Sequence, residues 1–205
     1  MIKTIINDFA VNTYIINENK EAYIIDPGSN YLGIIDYIDR KDFEIKGVLL
    51  THGHFDHIIA VNQLVTKYQV KIYINEKEKA FLSNPSLNMS TQFSSKIIVN
   101  NQEKVFTFNE KTKFKLGNSS IKVLETPGHT KGSVCFKYKN FLFSGDTLFK
   151  GTIGRTDLPT SNTLDIQKSI RKIVLQCSDK TVVYPGHGTA TTIINEKATN
   201  PFIKG

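Results

Sequence analysis

The stretch Thr51-His52-Gly53-His54-Phe55-Asp56-His57 holds three of the five histidines of this chain and follows the apolar run Val48-Leu49-Leu50. We predict that the apolar run is a buried strand. Alternate residues of an extended backbone point to the same side, so His52 and His54 can bind one metal ion together. Asp56 and His57 come where the chain bends towards a helix, and they can therefore face a second ion.

The other two histidines lie in short loops that resemble each other, Thr126-Pro127-Gly128-His129-Thr130 and Tyr184-Pro185-Gly186-His187-Gly188. Two metal ions ~3.5–4 Å apart repel each other, so such a pair needs an anionic bridge. Asp146 is the best candidate for the bridge because it follows the apolar run Phe141-Leu142-Phe143 and so ends a predicted strand. A motif of the form H-x-H-x-D-H with two further histidines indicates a binuclear metal site rather than chance.

These residues resemble the metallo-β-lactamase superfamily, and within it the glyoxalase II-like hydrolases. The resemblance extends over nearly the whole chain, and its last segments look like the short, single-domain bacterial members called hydroxyacylglutathione hydrolase-like. The further matching segments are Asn12-Thr13-Tyr14, Ile25-Asp26-Pro27-Gly28, Glu125 with the His129 loop, Gly132-Ser133-Val134, Phe143 through Phe149, Gly154-Arg155-Thr156-Asp157-Leu158-Pro159, Pro185-Gly186-His187-Gly188, Thr191-Thr192-Ile193 and Glu196-Lys197 to Asn200-Pro201-Phe202.

The family fold implied by the resemblance is α+β, a four-layer αββα sandwich of two mixed β-sheets flanked by helices. The pattern of Ile, Val, Phe and Tyr runs supplies the strands, and apolar periodicity predicts helices over 31–40, 58–68, 75–82 and 162–176. In the last of these, Leu164, Ile170, Ile173 and Val174 are predicted to form one apolar face. Because the metal loops extend from residue 52 to residue 187, we expect residues 1–205 to form a single hydrolase domain.

The resemblance also implies a division of the ligands between two divalent ions. Metal 1 would be held by His52, His54 and His129, metal 2 by Asp56, His57 and His187, and Asp146 would bridge them. Zinc is the favoured metal because the ligands are nitrogen and oxygen without thiolate, and iron or manganese suits the same set. Asp26 is either a residue that supports the histidine loop or an ordinary turn residue.

The activity implied by the family is hydrolysis of a thioester, such as S-lactoylglutathione, by a metal-bridging hydroxide, with Asp56 and Asp146 as the catalytic carboxylates. Relatives with glutathione as the carrier thiol use a basic residue and a Tyr after the bridging Asp. Here Arg155 occupies the basic position and Asp157 stands where the Tyr would be. Arg155 and Lys150 are the predicted residues for binding a substrate carboxylate.

Other functions remain open at this point. A persulfide dioxygenase of the same fold would use one Fe(II), held on this chain by His52, His129 and Asp146. A β-lactamase is disfavoured because such enzymes are exported and the chain begins with no signal-peptide pattern. A metal-binding module without catalysis is disfavoured by the complete set of ligands.

The net charge and the cysteine content indicate which kinds of binding partner to expect. The net charge is +7, which we interpret as a Lys-rich solvated surface rather than a nucleic-acid site, since no long basic run with interleaved aromatics occurs. The two cysteines are expected to be buried and reduced. We therefore predict a cytoplasmic protein that acts on a small-molecule thioester and binds neither nucleic acid nor membrane. Residues 83–95 form either a lid or a long surface loop.

Overall fold

The computed structural model describes residues 1–203, and the chain divides into two compact units. The first unit comprises Met1–Phe108 and Lys115–Asn118, and the second comprises Asn109–Phe114 and Ser119–Gly205. The prediction that residues 1–205 form one domain stays a prediction.

The first unit contains a mixed six-stranded sheet in the order β1-β2-β3-β4-β5-β6. Strands β1 to β3 pair antiparallel, whereas β3 to β6 pair parallel, so helical crossovers connect the later strands. The elements are β1 (Ile2–Ile6), β2 (Asn12–Glu18), β3 (Glu21–Ile25), α1 (Tyr31–Lys41), β4 (Glu44–Leu49), α2 (Phe55–Ile58), α3 (Val61–Tyr68), β5 (Ile72–Asn75), 3-10 helices at Glu76–Leu82, Ser90–Gln92 and Gln102–Lys104, and β6 (Val105–Phe108).

The core of the first unit lies where α1 and α3 pack on this sheet. Ile34 and Ile38 of α1 and Leu64 of α3 are almost fully buried against strand residues such as Val48 and Ile72. Asn30 is the N-cap residue of α1. Its side chain accepts a hydrogen bond from the Gly33 N–H, which has no partner within the first turn of the helix. The packing fixes the carboxyl ends of β3 and β4, from which the histidine loop starts.

The second unit contains a second mixed sheet in the order β14-β13-β10-β9-β8-β7. Strands β10 and β13 pair parallel, whereas β13 with β14, β9 with β10 and β8 with β9 pair antiparallel. Its core cluster includes Ile170 and Ile173 of α4, Ile193 of α5, and Leu142 and Val183 of the sheet. The elements are β7 (Lys113–Leu116), β8 (Ser119–Glu125), β9 (Val134–Tyr138), β10 (Phe141–Gly145), β11 (Leu148–Phe149), β12 (Thr152–Ile153), α4 (Thr163–Gln176), β13 (Val182–Pro185), β14 (Thr191–Thr192) and α5 (Ile193–Thr199).

The predicted α+β class, with two mixed sheets and flanking helices, is confirmed, and some local predictions are wrong. The helix predicted over 58–68 corresponds to α3, which begins only at Val61, and a separate short helix, α2, lies before it at Phe55–Ile58. The segment predicted as helix over 75–82 is a 3-10 helix at Glu76–Leu82. Leu164 was predicted to face the core but is 67% exposed, because the buried face of α4 contains Ile166, Ser169, Ile170 and Ile173 instead.

Both cysteines lie in the interior of the protein. Cys135 and Cys177 are free and buried, as predicted, and burial raises the pKa of the Cys135 thiol to about 12. Among residues 1–203, no helix combines the length and the apolar character needed to cross a bilayer.

Candidate metal centre

In the first unit, the predicted ligands His52, His54, Asp56 and His57 lie together just beyond the end of β4. His52 and His54 are in the loop, and Asp56 and His57 are in the single turn of α2. The ring centre of His52 lies 4.7 Å from that of His54 and 4.3 Å from that of His57. Imidazoles this close to one another, with side chains of His52, His54 and His57 at most 5% exposed, form a compact group of nitrogen ligands.

The buried carboxylate of Asp26 organises this loop. Thr51 donates to it twice, from its backbone N–H to Oδ1 at 2.8 Å and from its hydroxyl to Oδ2 at 2.6 Å. The Nδ1 atom of His57 lies 3.1 Å from the same Oδ2. Because the Thr51 hydroxyl donates its hydrogen bond to Asp26, its oxygen is available to accept a hydrogen bond from Nδ1 of His52, which is 3.1 Å away. Asp26 therefore acts as a positioning residue as well as a turn residue.

A second buried carboxylate, which the sequence analysis did not identify, contacts the same loop. Glu78 is fully buried in the 3-10 helix Glu76–Leu82, and its Oε2 accepts a hydrogen bond from the backbone N–H of Gly53 at 3.0 Å. Gly53 lies between His52 and His54, and a Cβ atom there would come within 2.4 Å of the Phe81 Cβ. At Gly53 the loop is thus held by the hydrogen bond to Glu78 and by close packing, and only glycine fits at this position.

In the second unit, Asp146 and His187 follow neighbouring strands. Strands β10 and β13 are parallel, and Gly145 pairs with Pro185, so the residues just beyond them lie at the same edge of the sheet. The Oδ2 atom of Asp146 is 3.6 Å from Nε2 of His187 and also 3.6 Å from Nε2 of His129. Asp146 therefore stands between two imidazoles, as a bridging ligand requires.

His129 is oriented by the segment that follows the β11–β12 hairpin. Its Nδ1 atom is 3.0 Å from the backbone carbonyl oxygen of Arg155, which accepts a hydrogen bond from that nitrogen. Gly154 packs directly on the ligands, since a Cβ there would lie 1.8 Å from the Asp146 carbonyl oxygen and 3.3 Å from the His129 Cβ. Residues 154 and 155 therefore set the spacing between His129 and Asp146 through backbone atoms.

These groups have the chemistry that divalent metal ions need. An Nδ1–H donated to a carbonyl or carboxylate leaves Nε2 as the ligand nitrogen, and the surroundings of His57 and His129 provide such acceptors. Two ligand atoms each ~2.1 Å from a tetrahedral ion lie about 3.4 Å apart, close to the 3.6 Å separations around Asp146. The residues present fit a metal ion.

The residues predicted to bind a substrate carboxylate are both near the surface. The Arg155 guanidinium makes a bidentate pair with Asp157, with Nε to Oδ1 and Nη2 to Oδ2 both at 2.7 Å. This pair raises the pKa of Arg155 and holds the pKa of Asp157 at about 2. Lys150 is exposed after β11, in the turn of the hairpin. Asp157 therefore occupies the face of Arg155 that a substrate carboxylate would use.

Comparison with known proteins places the chain in a family. Residues 6–187 match the sequence model of the family described as the metallo-beta-lactamase superfamily. A probable metallo-hydrolase of Streptococcus pyogenes is 38% identical over 98% of this chain and 88% of its own length. Hydroxyacylglutathione hydrolase GloC of Haemophilus influenzae is 37% identical over 91% of this chain and 89% of its own length. The chain belongs to the metallo-beta-lactamase superfamily.

Solved structures agree with this assignment. The B3 metallo-beta-lactamase BLEG-1 matches with a TM-score of 0.92 and 35% identity, covering 100% of both chains. A protein crystallised in a di-iron-bound form, TTHA1623, matches with a TM-score of 0.86 and 29% identity, covering 98% of this chain and 99% of its own. Proteins similar to this chain thus include a hydroxyacylglutathione hydrolase, a B3 metallo-beta-lactamase and a protein crystallised in a di-iron-bound form.

Proposed function

We propose that this protein is a metal-dependent thioesterase of the glyoxalase II type, cleaving S-(2-hydroxyacyl) thiol conjugates such as S-lactoylglutathione. The observation that carries the proposal is the 37% identity to a hydroxyacylglutathione hydrolase over 91% of the chain. The arrangement of Asp146 between His129 and His187 supports it, because a carboxylate with an imidazole on either side suits a bridging role.

In the proposed enzyme, His52, His54 and His129 would hold one divalent ion, Asp56, His57 and His187 would hold another, and Asp146 would be the ligand shared by both. Zinc is the proposed metal, and iron or manganese is the alternative. When bound, such ions lower the pKa of a coordinated water towards ~7 and polarise the carbonyl that is attacked. Asp26 and the Arg155 carbonyl keep His57 and His129 in the orientation that presents Nε2 to the ions.

The chain's own residues complete the reaction. Asp56 would accept a hydrogen bond from the attacking water and so aim it at the acyl carbon. A thiol has a pKa of only ~8.5, so the sulfur can leave as thiolate without a proton donor. Arg155 and Lys150 are proposed to bind a carboxylate of the carrier thiol, with Asp157 displaced from Arg155 as the substrate binds.

The test is elemental analysis of protein purified without added metal, combined with S-lactoylglutathione hydrolysis on the same sample. We expect about two metal ions per chain and hydrolysis, and Asp146→Asn should lose bound metal and most of the activity. Asp179→Asn is the matched control, because Asp179 is exposed and pairs only at the surface with Lys197. If Asp146→Asn kept full activity and normal metal content, the bridging role would be rejected.

A second candidate function is hydrolysis of a β-lactam ring, favoured by the 35% identity to the B3 metallo-beta-lactamase over the whole chain. Turnover of a chromogenic cephalosporin, with no cleavage of S-lactoylglutathione, would favour this candidate. One iron per chain with oxygen uptake on glutathione persulfide would instead favour the dioxygenase.

A further inference from the structure

A cavity of about 470 Å³ lies in the first unit beside the histidine loop. Its walls are mainly three phenylalanines and two isoleucines, which we call the phenylalanine pocket: Phe9, Phe55, Ile59, Phe93 and Ile97. The ring centres of Phe9 and Phe55 are 5.4 Å apart, and those of Phe55 and Phe93 are 4.8 Å apart. Small-molecule sites have volumes of about 300–1,000 Å³, so this cavity has the size of a ligand subsite.

The pocket directly adjoins the proposed metal centre. Phe55 and the proposed ligand Asp56 are consecutive residues of the turn α2, so their Cα atoms are ~3.8 Å apart. Ile59 follows the same turn. A group bound among these side chains would therefore lie beside the turn that contains the proposed ligands Asp56 and His57.

The far wall of the pocket is held in place by the segment 83–95. Asn88 is fully buried, and its side-chain amide donates to the carbonyls of Phe81 and Ile97, both at 2.9 Å. The Phe55 N–H donates to the Asn88 carbonyl at 2.9 Å. These bonds tie the segment that contains Phe93 to Phe55 of the metal loop and to Ile97, which are two other lining residues of the pocket.

The chemistry of the lining identifies the part of the substrate that fits. Among the described residues that line the cavity, none carries a charge, and the polar ones are Ser29, Gln92, Ser94 and Ser95. A charged group placed there would lose its hydration without an ion partner. Carrier thiols such as glutathione bear charged groups, whereas lactoyl and unsubstituted alkanoyl groups are uncharged.

We propose that the phenylalanine pocket binds the apolar acyl group of the substrate, so that the enzyme favours thioesters whose acyl chain is longer than lactoyl. This inference rests on the proposed thioesterase function. Burying a methylene in an apolar site strengthens binding by up to about fourfold. Because the pocket is open to solvent on one side, we expect about twofold to fourfold per methylene.

The experiment measures the binding of non-hydrolysable ketone analogues of S-acylglutathione, in which a methylene separates the acyl carbonyl from sulfur. Acetyl, butyryl and hexanoyl analogues are titrated calorimetrically into the metal-loaded wild type and into Phe93→Ala and Phe9→Ala. Phe9 is 40% exposed, so its replacement preserves the fold even if Phe93→Ala does not. Phe202→Ala is the matched control, because Phe202 is 50% exposed and lies in the second unit.

Tighter binding with each methylene in the wild type and in Phe202→Ala, with the gain reduced in either pocket variant, would support the pocket. A flat series in the wild type, or an unchanged gain in both pocket variants, would overturn it. The thioesterase proposal is tested separately with the matching thioesters. Hydrolysis of S-lactoylglutathione with a flat series rejects the pocket alone, and graded binding of the ketones without cleavage of any thioester rejects the hydrolase alone.

Discussion

Asp26 shows how one buried side chain can set the geometry of several others. Its backbone is in the left-handed region, with φ of +49°, which Asp tolerates better than most residues. In that conformation its carbonyl accepts from the Thr13 hydroxyl at 2.8 Å, while its carboxylate faces Thr51 and His57. The Asp-Pro-Gly turn thus joins β2, β3 and the histidine loop through a single residue.

Glu78 should matter to the metal centre because it accepts a hydrogen bond from a backbone N–H of the ligand loop. Replacing it with Ala removes the acceptor for the Gly53 N–H between His52 and His54, and we expect metal affinity to fall about 10-fold to 100-fold. Glu78→Gln keeps a neutral acceptor and should lose less. The measurement is competition for metal with a chromophoric chelator.

Glu76→Ala is the matched control for Glu78, because Glu76 lies on the same 3-10 helix and is exposed. It should leave metal affinity within about twofold of the wild type. An affinity for Glu78→Ala equal to that of the Glu76 variant would show that the Gly53 contact does not position the histidines.

Asp157 should restrict the binding of anionic substrates. Asp157→Ala frees the guanidinium of Arg155, so KM for S-lactoylglutathione should fall by about twofold to fivefold with little change in kcat. The hydrogen bonds from Arg155 hold the pKa of Asp157 at about 2. The pair is therefore intact above the ordinary carboxyl pKa of ~3.9 and is lost only as the pH falls through about 2.

For that reason the effect of Asp157→Ala on KM should be the same at all pH values between about 5 and 9. The Arg155→Ala/Asp157→Ala double variant should show no gain, since the freed guanidinium is missing. A fall in KM that survives in the double variant would mean that Arg155 is not the group that binds the substrate.

At the scale of elements, the candidate ligands within each unit lie close together because strands of its sheet end at a common edge. In the second sheet β8 and β10 run in the same direction, since each is antiparallel to β9, and β13 is parallel to β10. His129, Asp146 and His187 follow the carboxyl ends of these three strands. In the first sheet, β3 and β4 are parallel, with Ile25 opposite Leu49, so Asp26 and the histidine loop emerge side by side.

The corrected face of α4 gives a direct stability test. Ile170 is 1% exposed in the core of the second unit, so Ile170→Ala should reduce the free energy of unfolding by about 2–5 kcal/mol. Leu164 is 67% exposed on the same helix, and Leu164→Ala should change stability by at most about 0.5 kcal/mol. Urea denaturation compares the two, and equal losses would contradict the observed orientation of α4.

At the scale of the whole molecule, metal binding should stabilise the fold. An ion present at about 100 times its dissociation constant adds ~2.7 kcal/mol to the free energy of unfolding. For a chain of this length, removal of the metal with a chelator should lower the thermal midpoint by about 5–10 °C. The Asp146→Asn variant should show a smaller shift, and calorimetry of wild type and variant with and without chelator measures both. An unchanged wild-type midpoint would contradict metal binding by the folded chain.

The local pattern of the sequence determined much of the fold and the candidate ligands. Strands such as those ending at Leu49 and Gly145 are short apolar runs, and the ligand residues follow them directly, so both could be read from neighbouring residues. The α+β family fold followed from motifs distributed along the chain, and its two mixed sheets are present. The assignment of each ligand to an ion, the substrate, the partners and the location in the cell stay predictions.

Tertiary structure alone decided the residues that act across sequence distance. Glu78 lies in the run Glu76-Lys77-Glu78-Lys79, which has the pattern of a solvated charged surface, yet it is fully buried against Gly53, 25 residues away. Leu164 has the apolar character of a core residue and is exposed, because the buried face of α4 contains Ile166 and Ile170 instead. A contact between distant segments depends on where the sheet places them, and the spacing of residues along the chain does not encode that placement.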